Sequence, residues 1–439
     1  MPLQPETAQV IDGIVARVQA AGRAPTVVAG VVREGVLTHL CGTGEGHHES
    51  GHHIQYRIGS ITKTMTAALV LRLRDEGRLE LDDLLYRHLP GTPVGGVTVR
   101  QLLGHVSGLQ REPDGEWWER SAGTDVDGLL ARLTADKLAH PPWRTYHYSN
   151  LAYGLLGAVT ERITGESWRT QLGKRLLEPL GMRRTTYLPE DPFALGYVVH
   201  PWLGTLREEP RYDAGAMAPA GQLWSTVDDL ARWAAFLCQP DPELLDPATM
   251  AEMCVPVALS DLESWTAGHG LGLELWRRGE RVYVGHTGSM PGYLAILVAH
   301  RASATAVVAF ANAYTLREGG LGFAAEILTT VLDREPARPA PWQPAAPPPP
   351  DVAPLCGRWW WMGRELEARW DGELVIAVVE PATPVRLRWR FTQEAPDRWR
   401  CHSGTNDGEI LRVLRDRNGA ITALDIATFI FTRDPWPDI

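Results

Sequence analysis

Ser60-Ile61-Thr62-Lys63 sets a hydroxyl and an amine three residues apart, which on a helix is one face, so a serine there has a base within reach. Lysine is scarce enough to make the pairing informative, since only Lys63, Lys137 and Lys174 among the 43 Lys and Arg residues are lysines. Ser-x-x-Lys is a catalytic serine signature; the plainer reading is a helix start with a surface lysine. A nucleophilic serine also needs a proton path and groups that hold the oxyanion and the acyl chain. Tyr146-His147-Tyr148-Ser149-Asn150 offers such groups, with Tyr148 and Asn150 turned to one side at the entrance of a helix, although such residues also cap helices. Gly285-His286-Thr287-Gly288-Ser289 sits at the end of a strand pattern, where small residues let a substrate approach the backbone, although a glycine pair also marks a bulge.

The elements that must carry these residues read as sheet, helical insertion, sheet. Val10, Ile11, Ile14, Val15 and Val18 predict a helix ending near Gly22. Thr26 to Val32 and Val36 to Leu40 flank Arg33-Glu34-Gly35 as a β-hairpin. Gly42 to His53 is a polar loop, after which Ser60 opens a helix running to Gly77. Residues 66–215 read as mainly helical, most clearly at Leu151, Leu155, Ala158, Val159 and Ile163 before Gly165. Strands return at Val282 to Val284, Leu294 to His300 and Thr305 to Phe310, and a helix follows from about Leu316 to Leu332. This α+β layout folds the two ends of the stretch around one site. Glu335 to Pro354, with four consecutive prolines from Pro347 to Pro350, is a stiff linker. Beyond it, Asp371-Gly372 and Asn418-Gly419 punctuate short strands, predicting a small antiparallel barrel or sandwich. Its tryptophans, Trp359, Trp360, Trp361, Trp370, Trp389 and Trp399, fill the barrel or line a groove, and filling is the preferred reading.

Composition narrows the function classes. The 439 residues exceed one typical core, so two or three domains are expected. A net charge of −10 and a pI near 5.8 argue against a nucleic-acid or anionic-membrane partner. The five cysteines are widely spaced without a C-x-x-C pair and read as buried thiols. No secretory leader and no run of about 20 apolar residues is seen, so a cytoplasmic protein is expected. His47, His48, His52 and His53 lie in a loop without Cys or carboxylate in ligand order, so no metal site is expected. Gly-x-Ser-x-Gly, a P-loop and His-Glu-x-x-His are lacking, which removes the α/β-hydrolase, NTPase and zincin readings.

Taken in order, Ser-x-x-Lys at 60–63, Tyr-x-Asn at 148–150 and His-Thr-Gly at 286–288 resemble the three motifs of the serine β-lactamase and penicillin-binding-protein superfamily in its class C branch. Leu102-Leu103-Gly104-His105-Val106-Ser107-Gly108-Leu109, Pro179-Leu180-Gly181-Met182 and the stretch from Ala220-Gly221 to Ser225-Thr226 agree, so the resemblance covers about 8–332. It implies a β-lactamase/transpeptidase-like domain over 1–334 with a helical subdomain at about 66–215, a linker at 335–354, and a lipocalin-like β-barrel at 355–439. The implied roles are acylation of Ser60, proton transfer by Lys63 and Tyr148, and positioning of Lys63 and the substrate amide by Asn150. The backbone N–H groups of Ser60 and Ser289 would hold the oxyanion, and Thr287 and Gly288 would line the bound substrate. Which of Lys63 and Tyr148 is the base stays open at this level. His286 stands where β-lactamase-like members carry lysine; a histidine titrates near neutrality and is expected to orient Tyr148 and move protons. His105 is expected to support its loop. No third carboxylate is apparent.

That histidine favours branches without a fixed cation: esterases, D-aminopeptidases, some D-Ala-D-Ala peptidases and the penicillin-binding-protein-type thioesterases. The chain resembles the last group most, stand-alone enzymes with a lipocalin-like appendage that cyclise nonribosomal peptides ending in a D-residue. The implied partners are a peptidyl thioester, or another small acyl or peptide substrate, and a peptide synthetase carrier domain; no cofactor is implied. In that group an arginine reaches from the barrel toward the active site to recognise the substrate. Arg433 stands where it would be expected, and a solvated arginine ending a strand is the equal alternative. A D-stereospecific aminopeptidase or carboxylesterase is the next reading, and a catalytically silent binding protein the last.

Overall fold

The periodicities of the first 44 residues become a helix and a hairpin in the computed structural model, which describes residues 2–44, 51–316, 319–336, 341–379 and 388–436. Helix α1 (Pro5–Gly22) buries Ile11, Ile14 and Val15 and stops at Arg23, which takes φ 51°. Strands β1 (Thr26–Arg33) and β2 (Val36–Gly44) turn through Glu34 and Gly35, both at positive φ (50° and 80°), as a tight two-residue hairpin requires. His47 and His48 of the polar loop lie outside the described residues, as does Pro339 of the linker.

Strand β3 (Tyr56–Arg57) leads to a single 3₁₀ turn, Gly59–Ile61, and then to helix α2 (Thr62–Asp75). Ser60 therefore sits in the tight turn before the α-helix rather than at its first position. Helix α3 (Asn150–Thr164) is capped by the Ser149 side chain, which accepts from Ala152 N–H, and ends at Gly165 with φ 75°. The rest of 66–215 is less helical than expected: its other α-helices run four to six residues, and Tyr197–Val199 pairs with Leu206–Glu208. Strand β4 (Trp224–Ser225) pairs with β3, and helix α4 (Val227–Cys238) follows.

Six further strands, β5 (Ala258–Leu259), β6 (Ala267–His269), β7 (Glu274–Arg278), β8 (Arg281–Met290), β9 (Tyr293–His300) and β10 (Thr305–Ala311), complete an antiparallel sheet. Its order is β2-β1-β10-β9-β8-β7-β6-β5. Helix α5 (Gly319–Arg334) packs on it with α1. Both faces of its central strands β1, β9 and β10 are buried. On β1, Val28 and Val32 join the core shared with α2, α3 and α4, whereas Val27, Ala29 and Val31 join the core under α1 and α5. Strands covered on both sides need no polar alternation, which is why they read as continuous apolar runs. The His-Thr-Gly segment lies inside β8 rather than at a strand's end. Its glycines interrupt the apolar pattern but not the ladder, which continues through Gly285↔Val298 and Gly288↔Ala295 to Met290.

The chain divides into two compact units, Met1–Ala337 and Arg338–Ile439. The second is a closed barrel of eight antiparallel strands, β11 (Gly357–Trp361), β12 (Arg364–Trp370), β13 (Leu374–Val378), β14 (Arg388–Ala395), β15 (Arg398–Cys401), β16 (Ile410–Arg415), β17 (Ile421–Ile426) and β18 (Phe429–Thr432), sealed by Trp360↔Thr432. Trp359, Trp389 and Trp399 fill its interior with Phe391, Leu411 and Leu424, while Trp360, Trp361 and Trp370 are half-buried. All five cysteines are free thiols. Among the described residues no helix is long and apolar enough to cross a membrane.

Candidate active site

Close backbone approach assembles the site before any side chain acts. Gly59 holds φ +49°, and a Cβ there would lie 2.5 Å from Ser289 N; a Cβ on Gly288 would lie 2.0 Å from Ile58 O. Only glycines let β8 press against the turn carrying Ser60. That contact sets the backbone of Ser289 against Gly59, the residue before Ser60.

Lys63 is fully buried, and its Nζ has three oxygen neighbours: Ser60 Oγ at 2.9 Å, Asn150 Oδ1 at 2.6 Å and the Ala220 carbonyl at 2.6 Å. Two of these can only accept. The Asn150 amide is fixed in that sense because its Nδ2 donates to both oxygens of Glu112, at 2.9 and 3.0 Å. A neutral Lys63 therefore spends its two N–H bonds on Asn150 and Ala220 and turns its lone pair to the Ser60 hydroxyl. Burial makes that neutral form accessible, lowering the Lys63 pKa to about 7 against the pull of Glu112. The Lys63 Nζ also lies 4.9 Å from the Tyr148 ring centroid. Desolvation holds the Tyr148 phenol well above the ordinary tyrosine value against the pull of Ser60, so it stays protonated at neutral pH.

His105 braces this tyrosine. It is fully buried, holds φ +56°, accepts Ser149 N–H on Nδ1 at 3.0 Å and His147 N–H on its carbonyl at 2.9 Å. The residues on either side of Tyr148 are thus tied to one residue, whose ring lies 4.3 Å from the Tyr148 ring. Left-handed backbone at a non-glycine residue costs on the order of 1 kcal/mol and persists where the surroundings over-determine it.

His286 departs from expectation. Burial, together with the charge of Lys63, lowers its pKa to about 3, so it is neutral across the physiological range and does not titrate near neutrality. Its Nδ1 is bound to the Thr287 carbonyl at 2.5 Å, and its ring centroid is 6.2 Å from that of Tyr148, so it packs beside the tyrosine without a hydrogen bond to it. A carboxylate unseen in the sequence stands behind it. Glu274 on β7 accepts from Thr287 N–H at 3.2 Å and Thr287 Oγ1 at 3.0 Å, and lies 3.5 Å from His286 Nδ1. Thr287 is thereby turned toward Glu274. His269, 6.0 Å from His286 and 4.6 Å from His105, is the third buried imidazole, its pKa lowered to about 4 by burial.

Glu112, likewise missed, lies three residues beyond the Leu102–Leu109 motif and accepts from Trp118 Nε1 at 2.8 Å. Beside it opens a cavity of about 610 Å³ whose lining includes Ser289, Glu112, Glu119, Trp117 and Tyr197. Burial and the neighbouring Glu112 raise the Glu119 pKa. Arg433 belongs to the barrel unit. Its guanidinium donates to the carbonyls of Pro354, Cys356 and Arg358 and lies 3.8 Å from the Trp359 ring centroid.

The family described as Beta-lactamase matches residues 11–328, and a domain of unknown function (DUF7586) matches 348–433. Penicillin-binding protein 4 of Amycolatopsis lactamdurans is 31% identical over 327 residues, covering 69% of this chain and 83% of that protein. Beta-lactamase-like protein 2 of Dictyostelium discoideum is 31% identical over 217 residues, 46% of this chain, and the match spans only 39% of that protein's length. The match to protein flp of Staphylococcus aureus (strain MW2) spans half of its length. A D-stereospecific amidohydrolase from Streptomyces sp. superposes with a TM-score of 0.64 at 26% identity over 73% of this chain and 98% of its own. SurE superposes with a TM-score of 0.59 at 25% identity over 98% of this chain and 99% of its own, and SurE with D-Leu matches at 26% identity.

Proposed function

The chain belongs to the beta-lactamase family of serine hydrolases, and on that premise we propose that it is a penicillin-binding-protein-type thioesterase acting on peptidyl thioesters with a D-configured terminal residue. Lys63 takes the Ser60 proton as Oγ bonds to the thioester carbon, the backbone amides of Ser60 and Ser289 hold the oxyanion, and Tyr148 relays that proton from Lys63 to the departing thiolate as the C–S bond breaks. The peptide's own N-terminal amine then displaces Ser60, closing a macrocycle. His286, kept neutral, packs beside Tyr148. The observation that carries the acyl-serine step is the Lys63 network, in which two obligate acceptors leave the lone pair facing Ser60. The likeness to SurE runs through both units, and the D-Leu complex together with the D-stereospecific amidohydrolase supports a D-acyl residue. The carrier domain of a peptide synthetase is the natural donor of such a thioester.

A second reading is favoured by one observation. The D-stereospecific amidohydrolase superposes at the higher TM-score with the catalytic unit alone, which suits a D-aminopeptidase or amidase. Incubation with a linear peptidyl-N-acetylcysteamine thioester ending in a D-residue separates them. Cyclic product that vanishes with Ser60→Ala supports the cyclase; hydrolysed acid alone, across many such peptides, refutes it. Absence of any covalent adduct on Ser60 with a fluorophosphonate or a penicillin, checked by intact mass under varied conditions, would support the reading of a catalytically silent binding protein.

A further inference from the structure

The loop histidines that lack a carboxylate in sequence order acquire one in the fold. His52 and His53, in the turn Gly51–His53, set their Nδ1 atoms 2.9 and 3.4 Å from one oxygen, Oδ2 of Asp228 in the first turn of α4. The three candidate ligand atoms lie within 4.8 Å of one another. A tetrahedral ion with metal–ligand bonds of about 2.0–2.1 Å holds its ligands about 3.3 Å apart. Both observed separations lie near that edge length. Two imidazole nitrogens and a carboxylate oxygen are also a donor set that zinc accepts. The side chains of His52 and His53 are 32% and 56% exposed, so coordination through Nδ1 leaves each Nε2–H free to bond water.

We propose that His52, His53 and Asp228 bind a divalent transition-metal ion, with Zn²⁺ the best fit, as a structural clamp. Its position in the fold gives the clamp a purpose. The segments it would join are those already paired by β3 and β4 through Tyr56↔Ser225 and Arg57↔Trp224. The ion would cross-link them three residues beyond the Tyr56↔Ser225 rung, on the side away from Ser60. An ion bound only by the folded chain stabilises it by mass action. It would brace the strand that leads into the nucleophile's turn without touching the groups around Ser60.

The test uses the untagged full-length chain stripped with a chelator. Calorimetric titration with Zn²⁺ should give one saturable site, Co²⁺ should give the visible absorption of a tetrahedral ion, and Zn²⁺ should raise the melting temperature. The His52→Ala/His53→Ala double variant and, separately, Asp228→Asn should each weaken Zn²⁺ binding about tenfold or more and remove the thermal shift. Fluorophosphonate labelling of Ser60 should stay at the wild-type rate in both. All three residues are at the surface, and circular dichroism checks that the variants fold. Absence of saturable Zn²⁺ binding, or unchanged affinity in both variants, overturns the proposal; the latter would place any bound ion elsewhere.

Discussion

Around Ser60 the interior is polar: Lys63, His105, Asn150, His269 and His286 are all buried. Inside the barrel, among the described residues, no charged, amide, hydroxyl or imidazole side chain is buried, and Trp359, Trp389, Phe391 and Trp399 fill the space instead. Among the described residues, the Nε2 atoms of His105, His269 and His286 have no hydrogen-bond partner within the protein, and burying polar side chains of this kind costs more than burying apolar ones. A large unit with two apolar cores can carry that cost, whereas a barrel unit of about 100 residues with one core has little margin. The contrast implies that cleft substitutions change activity with little loss of stability, and barrel substitutions do the reverse.

The sharpest break between the two is expected at the nucleophile. Ser60→Ala should abolish the fluorophosphonate adduct and lower turnover by roughly 10⁴-fold or more, with the melting temperature unchanged. Lys63→Met should lower kcat/KM about 10³-fold and change its pH dependence. In the wild type, kcat/KM should rise with pH through about 7, as Lys63 loses its proton and becomes a base. The same depressed pKa couples to stability. Between about 7 and the ordinary lysine value of 10.5, Lys63 holds more of its proton in the unfolded chain than in the folded one, so its own contribution to stability should rise with pH across that window. The buried thiols and phenols, held above their ordinary values, pull the other way. Chemical denaturation at pH 7 and pH 10 should give a change in stability that is more favourable to the folded state in the wild type than in Lys63→Met, the difference being the share of Lys63. An inflection in kcat/KM that persists unchanged in Lys63→Met would assign the titration to another group.

The opposite arm is Trp359→Ala. Its ring is fully buried in the barrel and stacks under Arg433, so truncation should cost the barrel about 3–5 kcal/mol. Labelling of Ser60 by a small fluorophosphonate should proceed at the wild-type rate at temperatures below the barrel's melting. Loss of labelling in step with barrel melting would erase the distinction between the regions.

What was legible in the sequence follows the same divide between local and tertiary information. Ser60 and Lys63 share a turn, and Tyr148 and Asn150 share one loop-to-helix junction, so their spacing alone exposed them. The Glu34-Gly35 hairpin was readable because a two-residue turn demands positive φ. Glu274 was not, because its place beside Thr287 is set by the register of β7 on β8, where Glu274 pairs with Gly285. Strands β5 to β7 run two to five residues, too short for a pattern. The titration of His286 was not legible either, because its pKa is set by burial and by Lys63, neither of which is a local property. Asp228 reaches His52 across 176 residues, which no loop motif could announce.

His105 tests whether strain in the cleft serves the chemistry. His105→Ala should lower kcat about 10²-fold, as a displacement of Tyr148 by about 1 Å would. KM and the inflection near pH 7 should be unchanged, because Lys63 is untouched. If only the melting temperature falls, His105 merely supports its loop.

Arg433 is the smallest and most discriminating case, since family resemblance assigns it to the cleft and its contacts assign it to the barrel. Its guanidinium satisfies three backbone carbonyls and covers Trp359. A group so engaged must break those bonds before it can reach a substrate carboxylate, and each is worth about 1 kcal/mol net. Arg433→Ala should therefore lower barrel stability by about 1–2 kcal/mol and leave kcat/KM for a peptidyl thioester within about twofold. A rise in KM at unchanged kcat, with melting unaffected, would instead mean that Arg433 leaves these carbonyls for the substrate. In that case the barrel would contribute to specificity, and the separation of the two regions would fail at this one residue.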